Sequence, residues 1–291
     1  MGVDTTSTRL VWILRLSWVA LLLASPWHVA AHHSTPINVV LIIGGWTLGA
    51  IGLLSSITLT PIGLTAARLV TVPLIVLVAS QVRHAYGDGR DTFAITVAII
   101  AVTGVTALIS SSHISQTMVQ ASAYGDETRF PLRTPLPYMA PAMVVQLAYT
   151  AAIVVGPLLI AARSYVFGVI VTTLAVAASF KVPRRLHQLA RRWLVIVPAG
   201  VVIHDHLVLA ETFMVRRSNL LGAIPSDSPG EEADFTGGVI GRRLVMSLNT
   251  PDKVVLAPIT MRMLGTTEAL HVSSFAIAPR RLSAATAALT K

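Results

Sequence analysis

Cysteine is absent from this chain. That excludes disulfides, thiolate nucleophiles and every cysteine-based metal site. Charge is also scarce. Only 12% of residues are Asp, Glu, Lys or Arg, against about 25% in soluble domains, and a deficit of this size points to a membrane protein. Acidic groups are the rarer kind, 13 against 22 basic ones. None lies within a long apolar run, which takes weight from proton-coupled transport, where intramembrane carboxylates are a common device. Catalytic signatures are missing too: there is no Gly-x-Ser-x-Gly, no Walker A sequence and no His-Glu-x-x-His. The adjacent acids Asp126-Glu127 are the one pair placed for transferase chemistry near a membrane face, and adjacent loop acids are usually just solvated.

What is present is apolar length. Hydrophobic residues make up 54% of the chain. A helix needs about 20 mostly apolar residues to cross a hydrocarbon core of about 30 Å. Six segments qualify: Leu10–Ala31, Ile37–Leu59, Leu64–Val82, Thr92–Ser110, Met139–Ala162 and Tyr165–Phe180. The last is short, so five spans remain an alternative. The fifth and sixth are separated by Arg163-Ser164 alone and should form a tight hairpin. The first 192 residues carry 13 of the 22 basic residues but five of the 13 acidic ones. The basicity therefore belongs to the membrane half, unlike that of a soluble nucleic-acid binder. Arg outnumbers Lys 19 to 3; with abundant Ala and Val, this suggests a GC-rich bacterial genome.

Lys and Arg placement sets the expected orientation. With the N-terminus inside, the inner side collects Arg9, Arg129, Arg133, Lys181, Arg184, Arg185, Arg191 and Arg192. The outer side holds Arg83, Arg90 and Arg163. Arg15 and Arg68 fall near the inner ends of their helices, where long side chains snorkel to the headgroups; a functional intramembrane charge is the other reading. Arg9, the following apolar run and Val29-Ala30-Ala31 also fit a cleaved signal peptide. Met1-Gly2 with Thr6 matches a myristoylation pattern, which a chain that already spans the membrane does not need.

The loop 111–138 faces the cytoplasm in this scheme. Its YGDETRFPLRTPLPY contains Pro131, Pro135 and Pro137, which favour an extended course. It is either a surface connector or a strap packed on the C-terminal domain. Residues 181–192 form a basic juxtamembrane linker. If they are helical, Lys181, Arg184, Arg185, Arg191 and Arg192 fall largely on one face. Such a segment is attracted to anionic lipid at the inner leaflet by about 1 kcal/mol per basic residue. The plain alternative is a topology signal that stops the last span.

After residue 192 the apolar runs shorten to strand length between turn signals. Strands are expected near Trp193–Val197, Gly200–His204, Leu207–Ala210, Phe213–Arg217, Leu220–Ile224, Val239–Leu248, Val254–Pro258 and Ala269–Ile277. Thr250-Pro251-Asp252 reads as a hairpin turn. Residues 225–238, acidic and rich in Gly, Pro and Ser, read as a loop. PRRLSAATAALTK reads as a terminal helix entered through proline. The chain is thus expected to be an α-helical polytopic membrane domain over residues 1–180, followed by a small β-rich domain over 193–291.

WLVIVPAGVVIHD as a first hairpin, and FAIAPRRLSAATAAL as a last strand entering a capping helix, resemble the bacterial pleckstrin-homology-like (PH-like) domain. The resemblance covers roughly residues 190–291. It implies a small bent barrel closed by a C-terminal helix, in a multi-pass bacterial membrane protein, and binding of proteins or lipids without catalytic residues.

Helix packing is signalled by Gly45 and Gly49, a GxxxG pair, and by the ladder Ala148, Ala152 and Gly156. Small residues let helices approach closely in lipid, either within the bundle or against another subunit. Pro73 and Pro157 are candidate kinks. His28, His32 and His33, and His204-Asp205-His206, are residue types that can ligate a metal, but no acid lies in the first loop and the second sits at a hairpin end; no metal and no cofactor is expected. Three Arg pairs, 216–217, 242–243 and 280–281, lie on strands or turns, where neighbours point apart. The functional expectation is a non-enzymatic scaffold or regulator that presents the C-terminal domain to a protein partner at the inner leaflet of the bacterial cytoplasmic membrane. A transporter or channel subunit is the alternative, and a membrane-embedded enzyme comes third.

Overall fold

The computed structural model describes residues 5–24, 27, 33–88, 92–264 and 269–290. The signal-peptide site, the myristoylation pattern, His28, His32 and Arg90 lie outside them. The chain divides into two compact units, Met1–Met118 with Ala142–Leu186, and Val119–Pro141 with His187–Lys291. The described residues contain six helical segments long and apolar enough to cross a membrane, the sixth running over Tyr165–Ala190, so this is a multi-pass membrane protein followed by a sheet-rich region.

In the first unit α1 (Thr5–Ala24), α2 (Thr35–Thr58), α3 (Pro61–Asp88) and α4 (Thr92–Ser110) form a ring. In it α1 and α3 each pack against both α2 and α4. The α2–α3 turn is set by Leu59 in the left-handed region (φ 46°) and by Thr60, whose Oγ1 accepts from the Gly63 N–H at 3.0 Å. Such a hydroxyl satisfies one of the donors a helix start leaves open. α1 reaches back to Thr5, five residues before the expected span, and is described as far as Ala24. α5 (Ser112–Gln120) follows α4 after Ser111, whose Oγ accepts from Ile114 N.

α6 (Leu136–Ala161) and α7 (Tyr165–Ser179) form the expected hairpin. Their backbones nearly touch: a Cβ on Gly156 would lie 2.9 Å from Thr172 N, and one on Gly168 would lie 2.7 Å from Ile160 N. Arg163 turns the chain with φ 65°. Pro73 and Pro157 sit inside α3 and α6 without ending either helix. α6 starts three residues before the expected span, because Pro135 O accepts from both Tyr138 N and Met139 N and Pro137 falls in the first turn, where its missing N–H is harmless. After α7 the chain breaks at Phe180-Lys181 and resumes as α8 (Val182–Ala190).

The second unit holds two four-stranded sheets, in the orders β1-β2-β3-β4 and β5-β7-β8-β6. The strands are β1 (Thr128–Pro131), β2 (Arg192–Val197), β3 (Gly200–Asp205), β4 (Phe213–Arg216), β5 (Leu220–Ser226), β6 (Ala233–Asp234), β7 (Arg243–Val255) and β8 (Ala269–Ile277). Helix α9 (Pro258–Leu264) precedes β8, and α10 (Leu282–Leu289) ends the chain as expected. The inner faces share one core, in which Phe213, Phe235 and Phe275 meet with ring centroids 5.3–6.2 Å apart. The bent barrel implied by the resemblance is not formed. The turn Arg217–Asn219 hands the chain from one sheet to the other, and only isolated bridges such as Leu209–Leu256 and Leu132–Pro279 lie outside the ladders of the described strands.

The loop 111–138 is the strap rather than the free connector. β1 pairs antiparallel with β2, Thr128 opposite Ile196 through Pro131 opposite Trp193. Leu132 N then donates to Arg192 O, Arg133 N to Ala278 O, and Arg280 N to Pro131 O. Leu207–Ala210 is not a ladder strand: Asp205 O accepts from Leu209 N, and Asp205 Oδ1 accepts from Leu207 N. β7 starts at Arg243, not Val239, and runs through the expected Thr250-Pro251-Asp252 turn. Its register with β8 shifts between Ser247 and Asp252, and Asn219 binds the main chain of Thr250 there.

Candidate functional site

α8 is a two-faced helix between the last apolar helix and β2. Lys181, Arg184, Arg185, Gln188 and Arg191 are exposed, while Val182, Leu186, His187 and Leu189 are half-buried. At 100° per residue the two sets fall on opposite sides. The linker is helical over Val182–Ala190 and not over all of 181–192, and four of its five cations, Lys181, Arg184, Arg185 and Arg191, are exposed.

Arg192 does not join them. It is 1% exposed and opens β2 opposite Asp205. Its Nε donates to Asp205 Oδ1 at 2.7 Å and its Nη2 to Oδ2 at 2.5 Å. Nη1 donates to Arg133 O at 2.5 Å, and Nη2 also reaches Thr236 O at 3.4 Å. A guanidinium enclosed this way has no free edge for a headgroup, so Arg192 leaves the membrane-surface set. It ties the strap, the β2–β3 hairpin and the loop after β6 to one point. Asp205, the middle residue of His204-Asp205-His206, is thus a structural anion.

The outer face of the first sheet carries a ring column. Arg129 Cζ lies 5.2 Å from the Trp193 ring centroid, and Trp193 stacks on His204 at 5.7 Å. His204 meets His206 edge-on at 4.3 Å. Trp193 and His204 are register partners, which is why their rings meet. His204 Nδ1 lies 3.2 Å from Thr212 Oγ1, and its Nε2 is buried without a partner. Burial pushes the His204 imidazole below its ordinary value, and the nearby His206, Arg191 and Arg129 push the same way against Asp205. Two imidazoles on one face are a partial ligand set, and among the described residues no third His, Asp or Glu joins them.

Glu127 is engaged structurally. Its Oε1 accepts from Tyr124 N at 2.6 Å and from Arg129 Nε and Nη2 at 3.0 and 2.5 Å. Arg129 N in turn donates to Gln120 Oε1, so strap and ring column are built together.

The small-residue motifs divide. A Cβ on Gly45 would lie 2.3 Å from the Trp27 ring, one on Gly49 2.6 Å from Leu22, and one on Gly52 2.2 Å from Trp18. The glycine stripe of α2 is a groove for side chains at and after α1, extended by Gly52, which the GxxxG pattern missed. In the other ladder Gly156 is buried, Ala152 half-buried and Ala148 exposed, so only its end packs within the unit.

Arg15 and Arg68 do more than snorkel. Arg15 Nε donates to Ser56 O at 3.2 Å, at the end of α2. Arg68 Nη2 donates to Ile109 O at 3.2 Å, at the end of α4, and to Ser115 Oγ at 3.0 Å. Each thus places a cation on the negative, unpaired C-terminal carbonyls of a neighbouring helix.

No family model matches the chain, and no curated protein or solved structure is significantly similar to it.

Proposed function

We propose that this chain is a non-enzymatic protein of the bacterial cytoplasmic membrane. It holds its C-terminal sheet domain against the cytoplasmic leaflet as a scaffold or regulator for a protein partner. α8 carries the reading, with Arg184 and Arg185 on one side, Lys181 and Arg191 flanking it, and Val182, Leu186 and Leu189 on the other side, between the last apolar helix and the sheets in sequence. A helix of this kind lies in the headgroup layer of an anionic membrane. The strap supports a fixed role for the domain, because a segment between two apolar helices supplies its edge strand. Polar groups within the helices mostly close on their own backbone: Ser55 Oγ donates to Ile51 O, Ser56 Oγ to Leu53 O and Thr71 Oγ1 to Ala67 O. That favours a bundle without a solvated path over a transporter.

The test uses a nitroxide on Leu189→Cys, unique because the chain has no other cysteine. In nanodiscs containing phosphatidylglycerol the label should sit at the headgroup–acyl boundary by power saturation. Arg184→Glu with Arg185→Glu should move it toward water. A fully aqueous label in the unaltered background would end this reading.

A further inference from the structure

Arg243 is the first residue of β7, opposite Ser226, and its side chain leaves the strand on the side away from the core residue Leu244. It is 7% exposed, and its Nε is buried without a hydrogen-bond partner. Among the described residues no carboxylate pairs with it. The acid next to its register partner, Asp227, is bonded to Arg242 instead, at 2.8 Å. A buried guanidinium without a counter-charge is costly.

A second cation deepens the imbalance. Arg133, from the strap, donates through Nη1 to Ile240 O at 3.0 Å and through Nη2 to Arg242 O. It thereby grips both sides of Gly241 and brings its charge beside Arg243. Burial and then the Arg243 charge push Arg133 below the usual arginine range.

The loop between them, Thr236–Arg242, contains Gly237, Gly238 and Gly241 in the left-handed region, with φ of 70°, 87° and 90°. Among the described residues the N–H groups of Gly237, Gly238, Ile240 and Gly241 have no protein acceptor, and Gly238, Ile240 and Gly241 are exposed. Successive main-chain amides in a turn can line an anion-binding concavity.

We propose that Arg243 and the amides of the Gly237–Gly241 loop form a binding site for a phosphate-type oxyanion, held on inorganic phosphate or on a lipid headgroup. Its tetrahedral oxygens match the forked guanidinium and the amides together. The site uses no residue of α8 and does not rest on the scaffold reading.

The full chain in phosphatidylcholine nanodiscs, titrated calorimetrically with inorganic phosphate, should bind one equivalent, competed by sulfate. Arg243→Gln should weaken binding at least tenfold. Arg243→Lys should fall between, since it keeps the charge and loses the fork. Ile240→Glu guards against misfolding as the cause: Ile240 is 75% exposed, so the variant leaves the core alone. It sets a carboxylate beside the loop and should weaken phosphate several-fold at unchanged thermal stability. Repeating the titration in phosphatidic acid discs assigns the source. A loss of phosphate affinity there means the lipid headgroup occupies the site, and no change means a soluble phosphate does. Absence of saturable binding, or Arg243→Gln and Ile240→Glu both binding as tightly as the unaltered chain, would overturn the proposal.

Discussion

Arg192 and Asp205 face each other at the open end of the β2–β3 hairpin and join through two bonds of 2.7 and 2.5 Å, with both side chains 1% exposed. Because Arg192 also binds Arg133 O and Thr236 O, the pair holds three separate segments in register.

Removing one partner should therefore be severe. Asp205→Ala leaves a buried cation unpaired and should cost about 3–5 kcal/mol. Hydrogen exchange of β2 and β3 in the full chain should speed up by about two to four orders of magnitude. Replacing both, as Arg192→Met with Asp205→Leu, should cost far less, because no orphaned charge remains.

Glycine spacing on α2 gives a graded series. Gly52→Ala and Gly45→Ala place a methyl within 2.2 and 2.3 Å of Trp18 and Trp27. Each should destabilise the helical unit by about 1–3 kcal/mol. Gly44 has nothing within 4 Å of its Cβ position, so Gly44→Ala should be neutral or slightly stabilising. Thermal unfolding in detergent separates the three.

The second unit should weaken in mild acid. His204 is held below its ordinary value of 6.5 by burial first and by His206, Arg191 and Arg129 after it. The unfolded chain then takes up a proton before the folded one does. Stability is full above about pH 6.5 and is lost as pH falls through the lower folded value. Unfolding at pH 7.5 and pH 5 should differ, and His204→Gln should reduce the difference.

Arg68→Leu should fray the end of α4. It removes the donors to Ile109 O and Ser115 Oγ, and a loss of about 1–2 kcal/mol is expected. Faster hydrogen exchange confined to the last turn of α4 and to α5 would be its signature. Uniform change across all helices would mean Arg68 acts otherwise.

The membrane half was legible because span length and apolarity are local properties of the chain. Strands with a buried alternating face, such as Phe213–Arg216, were legible for the same reason. β1 was obscured by Pro131 and by the prolines that follow it at 135 and 137. Pro131 is tolerated because β1 is an edge strand, where the missing N–H breaks no ladder, and Phe130 and Leu132 are buried on either side of it. β6 has two residues, too few to show any period. Arg192 stood at the end of a basic run and looked like its neighbours. Only the hairpin register, which sets it opposite Asp205, separates it from Arg191. The unsatisfied guanidinium of Arg243 was likewise invisible, since an Arg-Arg pair on a strand carries no sign of which member is buried.

The proposed arrangement puts the sheet domain on the cytoplasmic side of the membrane-crossing helices. The cysteine-free chain suits single-cysteine labelling with a membrane-impermeant maleimide. Ala162→Cys, in the exposed α6–α7 turn, and Ser228→Cys, in the exposed loop after β5, are the two reporters. In intact spheroplasts Ala162→Cys should label and Ser228→Cys should label only after permeabilisation. Labelling of Ser228→Cys in intact spheroplasts, with Ala162→Cys protected, would contradict the account.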